Sequence, residues 1–411
     1  MKTLSLTSAI LDKMPQIGKW QRAFFLHLIP LFLSIRGRIN FSQMARYGIF
    51  SLTTYRNNFD KPFDFLTFNT HHVEMQSSGY NVILLIAAAD RPSHINKSGK
   101  NTFQKGYFWS GCANSMKEGL EISGVAVGEV DNHTAFHLEA VQTPNKQSLE
   151  SDSSTLLKHY AQVIIERKDT LQKLSNQIAL DAYFSKKSFV DDIAENTGLN
   201  IISRLRSDSV LQYLYLGEKT GKRGRPKEYD GKVNIHKPDM NHFKIVHQDA
   251  ERIISSATVF AKALKRKIKL ALVQYLHEDT GKIKTTKIYF SVDLNLSAWH
   301  IVWFYGLRFQ IEFIYRDANQ FTGLENSQAR SKEKLHFHFN TSLTTVSLAK
   351  SEYYLSLPKE ERKSFSMANV KTLYHNYLLI DRFFSVLGID PNTHLNNPKI
   401  KELHHFGSIA A

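Results

Sequence analysis

Three acidic residues far apart in the chain, Asp90, Asp181 and Glu312, are the side chains best suited to carry out chemistry. Asp90 ends one apolar run, Asp181 lies inside a second and Glu312 lies in a segment with helical character. Taken singly, each acid is more simply explained as a cap or a hydrogen-bonded residue. Together, three carboxylates can hold two Mg²⁺ ions about 4 Å apart, with Mn²⁺ as a substitute, because these ions prefer oxygen ligands. The acids therefore predict a two-metal centre that breaks and forms phosphodiester bonds.

The charge balance indicates a polyanionic partner. The 411 residues include 53 Lys and Arg against 38 Asp and Glu, a formal net charge of +15. Nucleic acid is the commonest polyanion bound by such proteins, since neutralised phosphates release counterions. An anionic membrane surface would need an amphipathic helix or a lipid anchor as well, and neither is evident in the sequence. We therefore expect a nucleic-acid partner and no membrane association.

Cysteine content and apolar runs bear on location. The single cysteine, Cys112, excludes an internal disulfide and a zinc site built from paired cysteines. The apolar stretch 23–35 is too short to span a bilayer and has no signal-peptide cleavage pattern, so we expect a buried helix there. These features predict a cytoplasmic protein associated with the nucleoid.

The elements around the acids predict an α/β fold with a mixed sheet flanked by helices. The run 81–90, which ends in Asp90, is typical of a strand buried on both faces. Two further strands, 120–130 and 133–143, a helical segment, 151–174, and a fourth strand, 177–184, follow in order. Residues 207–290 are predicted to be a β-rich insertion before a long helix, 297–321, that contains Glu312 and is closed by Gly323.

This pattern predicts three regions. Residues 1–75 form a helical DNA-binding region, 76–345 form the catalytic domain with its β insertion, and 346–411 form a helical region with a loose polar tail. The helices around Val370 to Leu387 are the predicted dimer interface.

Residues 41–59 predict two short helices around Gly48, similar to a helix-turn-helix, although a plain helical hairpin is also possible. In either case one side of the pair should face the core and the other should face solvent or a DNA groove. The expected inward residues are Met44, Tyr47, Ile49, Leu52 and Tyr55, and the expected outward residues are Thr53, Thr54, Arg56 and Asn57.

The order of these elements and the residues beside the acids resemble the RNase H-like DDE transposases of bacterial insertion sequences. The resemblance covers residues 79–350 and includes a Tyr-Arg-Glu-Lys signature. In the segment YGLRFQIE, Tyr305, Arg308 and Glu312 stand at the signature's spacing and would share one face of a helix. The resemblance implies that Asp90, Asp181 and Glu312 are the catalytic metal ligands and that Arg308 can bind a phosphate beside them.

Further segments match the same family and imply DNA contacts. The run NKSGKNT after Asp90 resembles the family's stretch after its first aspartate, and LDAYFSKKSF and ISRLRSD resemble its second-aspartate region and fifth strand. Tyr289 is a candidate for the aromatic that receives an unstacked base, with ordinary sheet packing as the alternative. The DNA-contacting residues that the resemblance implies are Tyr305, Arg308, Lys97, Lys100, Arg204 and Arg206, with Tyr289 as the candidate for the stacking aromatic.

Two features lie outside this match. The signature lysine would fall at Asn319, so Arg316 or Lys332 is the candidate to replace its charge. The basic loop 220–231 carries Arg223 and Arg225 in an Arg-Gly-Arg-Pro sequence, which could enter a narrow minor groove or remain a solvated loop.

The sequence thus predicts a cut-and-paste transposase that acts as a homodimer on double-stranded DNA, namely terminal inverted repeats and a target. A water molecule would nick the element end, and the freed 3′ hydroxyl would then attack other strands. The alternatives are a catalytically inactive DNA-binding protein or regulator that descends from a transposase, and a nuclease that resolves branched DNA.

Overall fold

The chain folds into a mixed α/β structure in which helices flank one large mixed sheet. The computed structural model describes residues 2–77, 81–88, 99, 101–110, 113–218, 226–362, 364–390 and 397–409. The predicted α/β class, with a mixed sheet between helices, is confirmed.

Five helices form the N-terminal part, and three of them begin at a polar cap. The side chains of Asn40, Ser51 and Asp64 each accept a hydrogen bond from a backbone amide in the first turn. The buried helix expected at 23–35 is present as the second one. The helices are α1 (Lys2–Asp12), α2 (Lys19–Ser34), α3 (Phe41–Tyr47), α4 (Leu52–Phe59) and α5 (Phe65–Gln76).

The two short helices predicted around Gly48 are α3 and α4. Gly48 has no room for a side chain, because an added Cβ would overlap the hydroxyl group of Tyr55. Met44 and Tyr55 are buried as expected, but Tyr47 is 41% exposed and Ile49 is 79% exposed. The inward assignment was wrong for Tyr47 and Ile49, because Phe50 takes the inward position in this turn and packs on Phe24 and Tyr55.

The central sheet is built around β1, which is flanked by an antiparallel strand on one side and a parallel strand on the other. The strand order β5–β4–β1–β6–β7 has β1, β6 and β7 parallel to one another. A separate hairpin, β2–β3, lies outside this sheet and was not predicted. The elements in chain order are β1 (Val82–Ala88), β2 (Gly106–Ser110), β3 (Ser115–Gly119), β4 (Ile122–Glu129), β5 (Thr134–Gln142), α6 (Lys146–Ser151), α7 (Leu156–Ile165), α8 (Lys168–Leu174), β6 (Gln177–Ala179), α9 (Lys187–Thr197) and β7 (Asn200–Leu205).

Side chains on opposite faces of β1 enter two different hydrophobic cores. Ile83 and Leu85 pack with the N-terminal and C-terminal helices, whereas Leu84 packs with α7, α8 and α9. A strand that is buried on both faces needs apolar side chains at every position. This requirement explains the continuous apolar run before Asp90.

Residues 207–290 extend the same sheet and do not form a separate layer. The last strand of this region pairs with β7 in antiparallel fashion, and the others continue outward in the order β13–β12–β11–β8–β9, with β10 on β11. The strands are β8 (Leu211–Leu214), β9 (Tyr229–Lys232), β10 (Lys244–Gln248), β11 (Arg252–Ala261), β12 (Arg266–Leu276) and β13 (Ile283–Ser291).

The C-terminal part is helical, with two differences from the prediction. The long helix 297–321 is two helices that meet at Arg308, where the amide of Arg308 bonds the carbonyl of Tyr305 three residues back. The prediction of a loose tail was wrong for residues 397–409. The Asn376 side-chain amide donates hydrogen bonds to three backbone carbonyls there. The helices are α10 (Ala298–Leu307), α11 (Phe309–Phe321), α12 (Lys332–Ser356), α13 (Met367–Leu387) and α14 (Pro398–His404).

Within the described ranges, no helix combines the length and the apolar character that crossing a lipid bilayer requires.

Candidate active site

Asp181 lies just beyond β6, at the edge where the parallel strands end. The prediction that it lies inside the strand was wrong, because β6 ends at Ala179. Asp181 instead caps a short 3₁₀ helix, and its Oδ1 accepts a hydrogen bond from the amide of Ala182 at 2.5 Å. The Ser203 hydroxyl on β7 donates to the carbonyl oxygen of Asp181 at 3.0 Å. These bonds hold the acid beside the end of β7.

Tyr305, Arg308 and Glu312 come together where α10 meets α11. Arg308 Nη1 donates to Glu312 Oε1 at 2.7 Å, and the guanidinium lies 5.8 Å from the centre of the Tyr305 ring. The Arg308 side chain is only 10% exposed, whereas the Glu312 side chain is 47% exposed. The Glu312 carboxylate is therefore accessible to solvent, and the buried guanidinium of Arg308 fixes its position.

Asp181 is close enough to act electrostatically on this group. Burial by itself lowers the pKa of Arg308, but the negative charges of Asp181 and Glu312 more than offset it and raise that pKa above its usual value. Burial also raises the pKa of Tyr305, and the charge of Asp181 raises it further against the opposing charges of Arg308 and Arg204. The Arg308 guanidinium therefore bonds the acid in α11 and also feels the charge of the acid that follows β6.

Tyr289 and Arg204 lie opposite each other on β13 and β7. The ring centre of Tyr289 is 5.0 Å from that of Tyr305, and the residue is only 6% exposed. Burial raises the pKa of Tyr289, and its neighbour Tyr275 adds to the rise. In this arrangement Tyr289 packs between other tyrosines, so an unstacked base could reach its ring only if Tyr305 moved.

A basic cavity of about 300 Å³ adjoins these residues at the end of β7 and beside the middle of β13. Arg206 is 83% exposed at its side chain and pairs with Asp208 at 3.2 Å. Lys287 lies with its Nζ 5.2 Å from the centre of the Tyr275 ring. Three cations around one cavity make it attractive to phosphate groups. The residues that line the cavity are Arg204, Leu205, Arg206, Ser207, Thr286, Lys287 and Ile288.

The candidates for the missing signature lysine lie farther along the chain. Arg316 pairs with Asp317 at 2.9 Å, and its side chain is 52% exposed. The Nζ of Lys332 lies 5.9 Å from the centre of the Phe103 ring. Among the described residues, the Asn319 Oδ1 atom is buried without a hydrogen-bond partner. An unpaired buried oxygen is the kind of atom that a cation or a donor could satisfy.

Five of the predicted site residues lie outside the described residues, namely Asp90, Lys97, Lys100, Arg223 and Arg225. In sequence, Asp90 comes two positions after the last residue of β1, just as Asp181 comes two positions after the last residue of β6. In the part of the chain that the structure describes, no three His, Cys, Asp or Glu side chains are grouped closely enough to hold a metal ion.

Asp181 and Glu312 are the described residues suited to hold a divalent cation. Both supply carboxylate oxygens, the ligands that Mg²⁺ prefers, and both act electrostatically on Arg308. The chemistry of this donor set fits Mg²⁺ or Mn²⁺.

The sequence reasoning missed two residues beside the site. Tyr183 follows Asp181 by two positions, is 45% exposed and has the Lys186 Nζ 4.2 Å from its ring centre. Lys287 reaches the basic cavity only because β13 pairs with β7. The aromatic so close to the acid was a usable signal for Tyr183, but nothing local in the sequence indicates the strand pairing that places Lys287.

Comparison of the chain with models of known protein families finds no match, and no curated protein matches it significantly in sequence. The functional assignment therefore depends on the residues and the geometry described above.

Proposed function

We propose that this chain is a DDE transposase that cleaves and joins DNA strands at the ends of an insertion sequence. The observation that carries the proposal is the Arg308–Glu312 ion pair, at 2.7 Å, within electrostatic range of Asp181, which lies more than 120 residues earlier in the chain. Burying an arginine is costly because its charge is desolvated, so packing alone does not explain the position of Arg308. A site that binds metal and phosphate accounts for it.

The sheet topology supports an RNase H-like core for this proposal. The strand order β5–β4–β1–β6–β7, with β1, β6 and β7 parallel, places the carboxyl ends of β1 and β6 at the same edge. In this arrangement Asp90 and Asp181 each follow the end of one of these two neighbouring strands in the sequence. The long helical segment that contains Glu312 comes after β13, as the resemblance implies.

The chain's own residues have distinct parts in the proposed reaction. Asp90, Asp181 and Glu312 would hold two Mg²⁺ ions, which would activate the attacking oxygen and stabilise the leaving oxygen. Arg308 orients Glu312 and offers its remaining N–H groups to a phosphate oxygen. Arg204, Arg206 and Lys287 hold the next phosphate in the basic cavity.

The proposed partners follow from this chemistry. The substrates are double-stranded terminal inverted repeats and a double-stranded target, and a nick made by water is followed by attack of the freed 3′ hydroxyl. Two ends must be cut together, so the active unit would be a homodimer. The reaction would take place on chromosomal DNA in the cytoplasm.

A nicking assay tests the proposal. A supercoiled plasmid that carries the DNA bordering the gene is incubated with the full chain and Mg²⁺ or Mn²⁺, and nicked and linear products are measured. Wild type should nick near the inverted repeats, chelator should stop it, and Asp181→Asn should abolish it while DNA binding persists. Asp152→Asn, an exposed acid at the end of α6, is the matched control and should nick normally.

The second candidate function is a DNA-binding regulator without catalysis, which Asn319 at the signature lysine position favours. In the same assay, a regulator would bind the repeats without cutting them, in wild type and in Asp181→Asn alike. A nuclease for branched DNA would instead cleave junctions without joining strands.

A further inference from the structure

The β2–β3 hairpin presents large side chains to solvent on one face. Tyr107 is 66% exposed, Trp109 is 52% exposed and Met116 is 55% exposed. Trp109 and Met116 are directly paired across the two strands, so these side chains form one surface. The opposite face is packed, because Phe108 is only 4% exposed. This short hairpin buries one aromatic ring and exposes two others, which are available to contact a binding partner.

The base of the hairpin is held in place by hydrogen bonds to neighbouring elements. The Gln142 side chain at the end of β5 donates to the carbonyl of Phe103 at 2.7 Å, and the amide of Phe103 donates to the carbonyl of Arg330 at 2.9 Å. Asn145 donates to the carbonyl of Lys105 at 3.2 Å. The hairpin is therefore anchored to the sheet edge and to the start of α12.

This anchoring places the hairpin at the same sheet edge as Asp181. Ser123 of β4 pairs with Ala88, the last residue of β1, and β1 is parallel to β6. Gly119, where the hairpin ends, is four residues before Ser123, a span of at most about 14 Å for an extended chain. The exposed rings therefore extend from the edge at which the proposed cleavage takes place.

The charges around the hairpin favour a nucleic acid over an acidic or a purely apolar partner. Arg330 and Lys332, at the base of the hairpin, are both exposed. The one acid on the exposed face, Glu118, is paired with Lys105 at 3.0 Å, so its charge is compensated. Exposed aromatic rings beside cations are the surface that single-stranded DNA recognises, since every base can stack on a ring while cations contact the backbone.

We propose that Tyr107 and Trp109 form a stacking surface for unpaired bases of a DNA strand next to the cleavage site. This inference rests on the proposed function, because a strand must leave its duplex when an end is opened or a target is bent. Trp109 would stack on a base, Tyr107 would extend the surface, and Arg330 and Lys332 would contact the phosphates.

The test compares a ring with an aliphatic side chain at one position. Binding of a fluorescent single-stranded 20-nucleotide DNA, and of the matching duplex, is measured for the full chain in EDTA so that no cleavage interferes. Trp109→Leu should weaken single-strand binding about tenfold, whereas Trp109→Phe, which keeps a ring, should weaken it about threefold or less. Duplex binding should change less than about twofold in both variants, because cations dominate it.

Two controls make the outcome decisive. Met116→Ala removes an exposed side chain from the same face without removing a ring and should leave single-strand binding unchanged, and circular dichroism checks the fold of every variant. The proposal is overturned when Trp109→Leu binds the single strand as wild type does, or when the Leu and Phe variants lose the same affinity. A change in oligomeric mass without a change in DNA affinity would assign the face to a protein contact and also overturn it. If wild type nicks DNA in a way that depends on Asp181 but Trp109→Leu binds the single strand as wild type does, only this inference fails. If wild type shows no nicking that depends on Asp181, the proposed function fails.

Discussion

Arg308 is the residue that links the two described acids. Its guanidinium bonds Glu312 directly and lies within electrostatic range of Asp181. Its positive charge offsets the negative charges of these two acids. In the proposed reaction, Arg308 would orient Glu312 for the metal and would then neutralise phosphate charge.

Replacing Arg308 should lower the rate of cleavage strongly while the protein still folds. We expect Arg308→Ala to slow nicking by about 100-fold or more, the usual effect of losing one group that stabilises transition-state charge. Arg308→Lys should recover only part of this loss, because an ammonium cannot contact a carboxylate and a phosphate in the forked geometry of a guanidinium. The rate of nicked-plasmid formation in Mg²⁺ measures both effects.

Arg266→Ala supplies the matched control for this comparison. Arg266 forms an ion pair with Asp191 at 2.6 Å, but it begins β12 at the opposite edge of the sheet. Nicking by this variant should stay within about twofold of wild type, the size expected when no transition-state contact is lost. Equal losses in the Arg266 and Arg308 variants would mean that ion pairing in general, not the site, controls activity.

Asn319 allows a test by gain of charge. It lies seven residues after Glu312, two helical turns along α11, and its Oδ1 atom is buried and unpaired among the described residues. We expect Asn319→Lys to bind duplex DNA more tightly at low salt and to steepen the slope of log affinity against log salt by about one. Affinity measured at four salt concentrations gives this slope. An unchanged slope would place position 319 away from the DNA.

Sequence patterns predicted strands better than they predicted the exact position of site residues. The apolar runs before Asp90 and around 122–142 gave strands close to those observed, because a strand buried on both faces requires apolar residues throughout. Asp181 was misplaced by one element, since the sequence QIALDAYF contains no signal for the 3₁₀ helix that starts after the acid. The split of the long helix at Arg308 was also missed.

The β2–β3 hairpin shows why some elements could not be predicted. Its strands, GYFWS and SMKEG, are short and mix exposed aromatics with charges, so they lack the regular alternation that identifies a half-buried strand. Contacts far away in sequence, at Gln142 and Arg330, fix its position. The same reason applies to Lys287, which reaches the site through strand pairing alone.

Helix α12 is the element that joins the N-terminal helices to the sheet, and it does so through polar contacts. The amide oxygen of Asn340 accepts from the backbone amide of Ala140 at 2.7 Å and lies 3.0 Å from the His137 Nε2. His72 of α5 bonds the Ser351 hydroxyl at 2.7 Å. Buried polar groups that are paired in this way specify one packing arrangement, because any shift leaves a donor or an acceptor unpaired.

These histidines should make stability depend on acidity. Burial lowers the pKa of His72 to about 3 and, with smaller effects of Asn340 and His336, the pKa of His137 to about 4. A histidine in the unfolded chain has a pKa near 6.5. Below that pH the unfolded chain therefore binds protons at these two positions, whereas the folded chain does not. The stabilisation is complete above pH 6.5 and is lost as the pH falls toward 4 and 3.

The expected slope is up to about 1.4 kcal/mol of unfolding free energy per pH unit for each histidine between pH 6 and 4. Urea unfolding at pH 7, 6, 5 and 4 measures it. His137→Gln should lower stability at pH 7 and flatten the slope. His71→Gln, at a partly exposed position that pairs with Glu74, should leave the slope as it is in wild type. A wild-type slope that His137→Gln does not change would show that other groups control acid unfolding.

At the scale of the whole molecule, a second exposed apolar face adds to that of the β2–β3 hairpin. Cations of β7 and β13 lie at the sheet edge beside Asp181, which suits a DNA backbone in the proposed reaction. The second apolar face follows the end of α13, where Leu379 is 51% exposed, Phe383 is 59% exposed and Val386 is 75% exposed. Their spacing of four and three residues puts them on one face of the helix, the pattern of a helix-to-helix contact.

A second copy of the chain is the partner that this face of α13 should bind, because the proposed reaction cuts two ends together. Arg382 is exposed at the border of this face, so a two-fold pair of helices would bury the apolar residues and keep this charge at the rim of the contact. We expect wild type to have twice the mass of the 47.2 kDa chain by light scattering. Phe383→Asp should be monomeric because it would bury an unpaired charge at the contact. The monomer should still bind one DNA end but should lose coordinated cutting of two.

Leu216→Asp, at a position that is 66% exposed in a loop after β8, controls for adding a surface charge and should remain dimeric. A wild-type chain that is monomeric both alone and on DNA would rule out this interface.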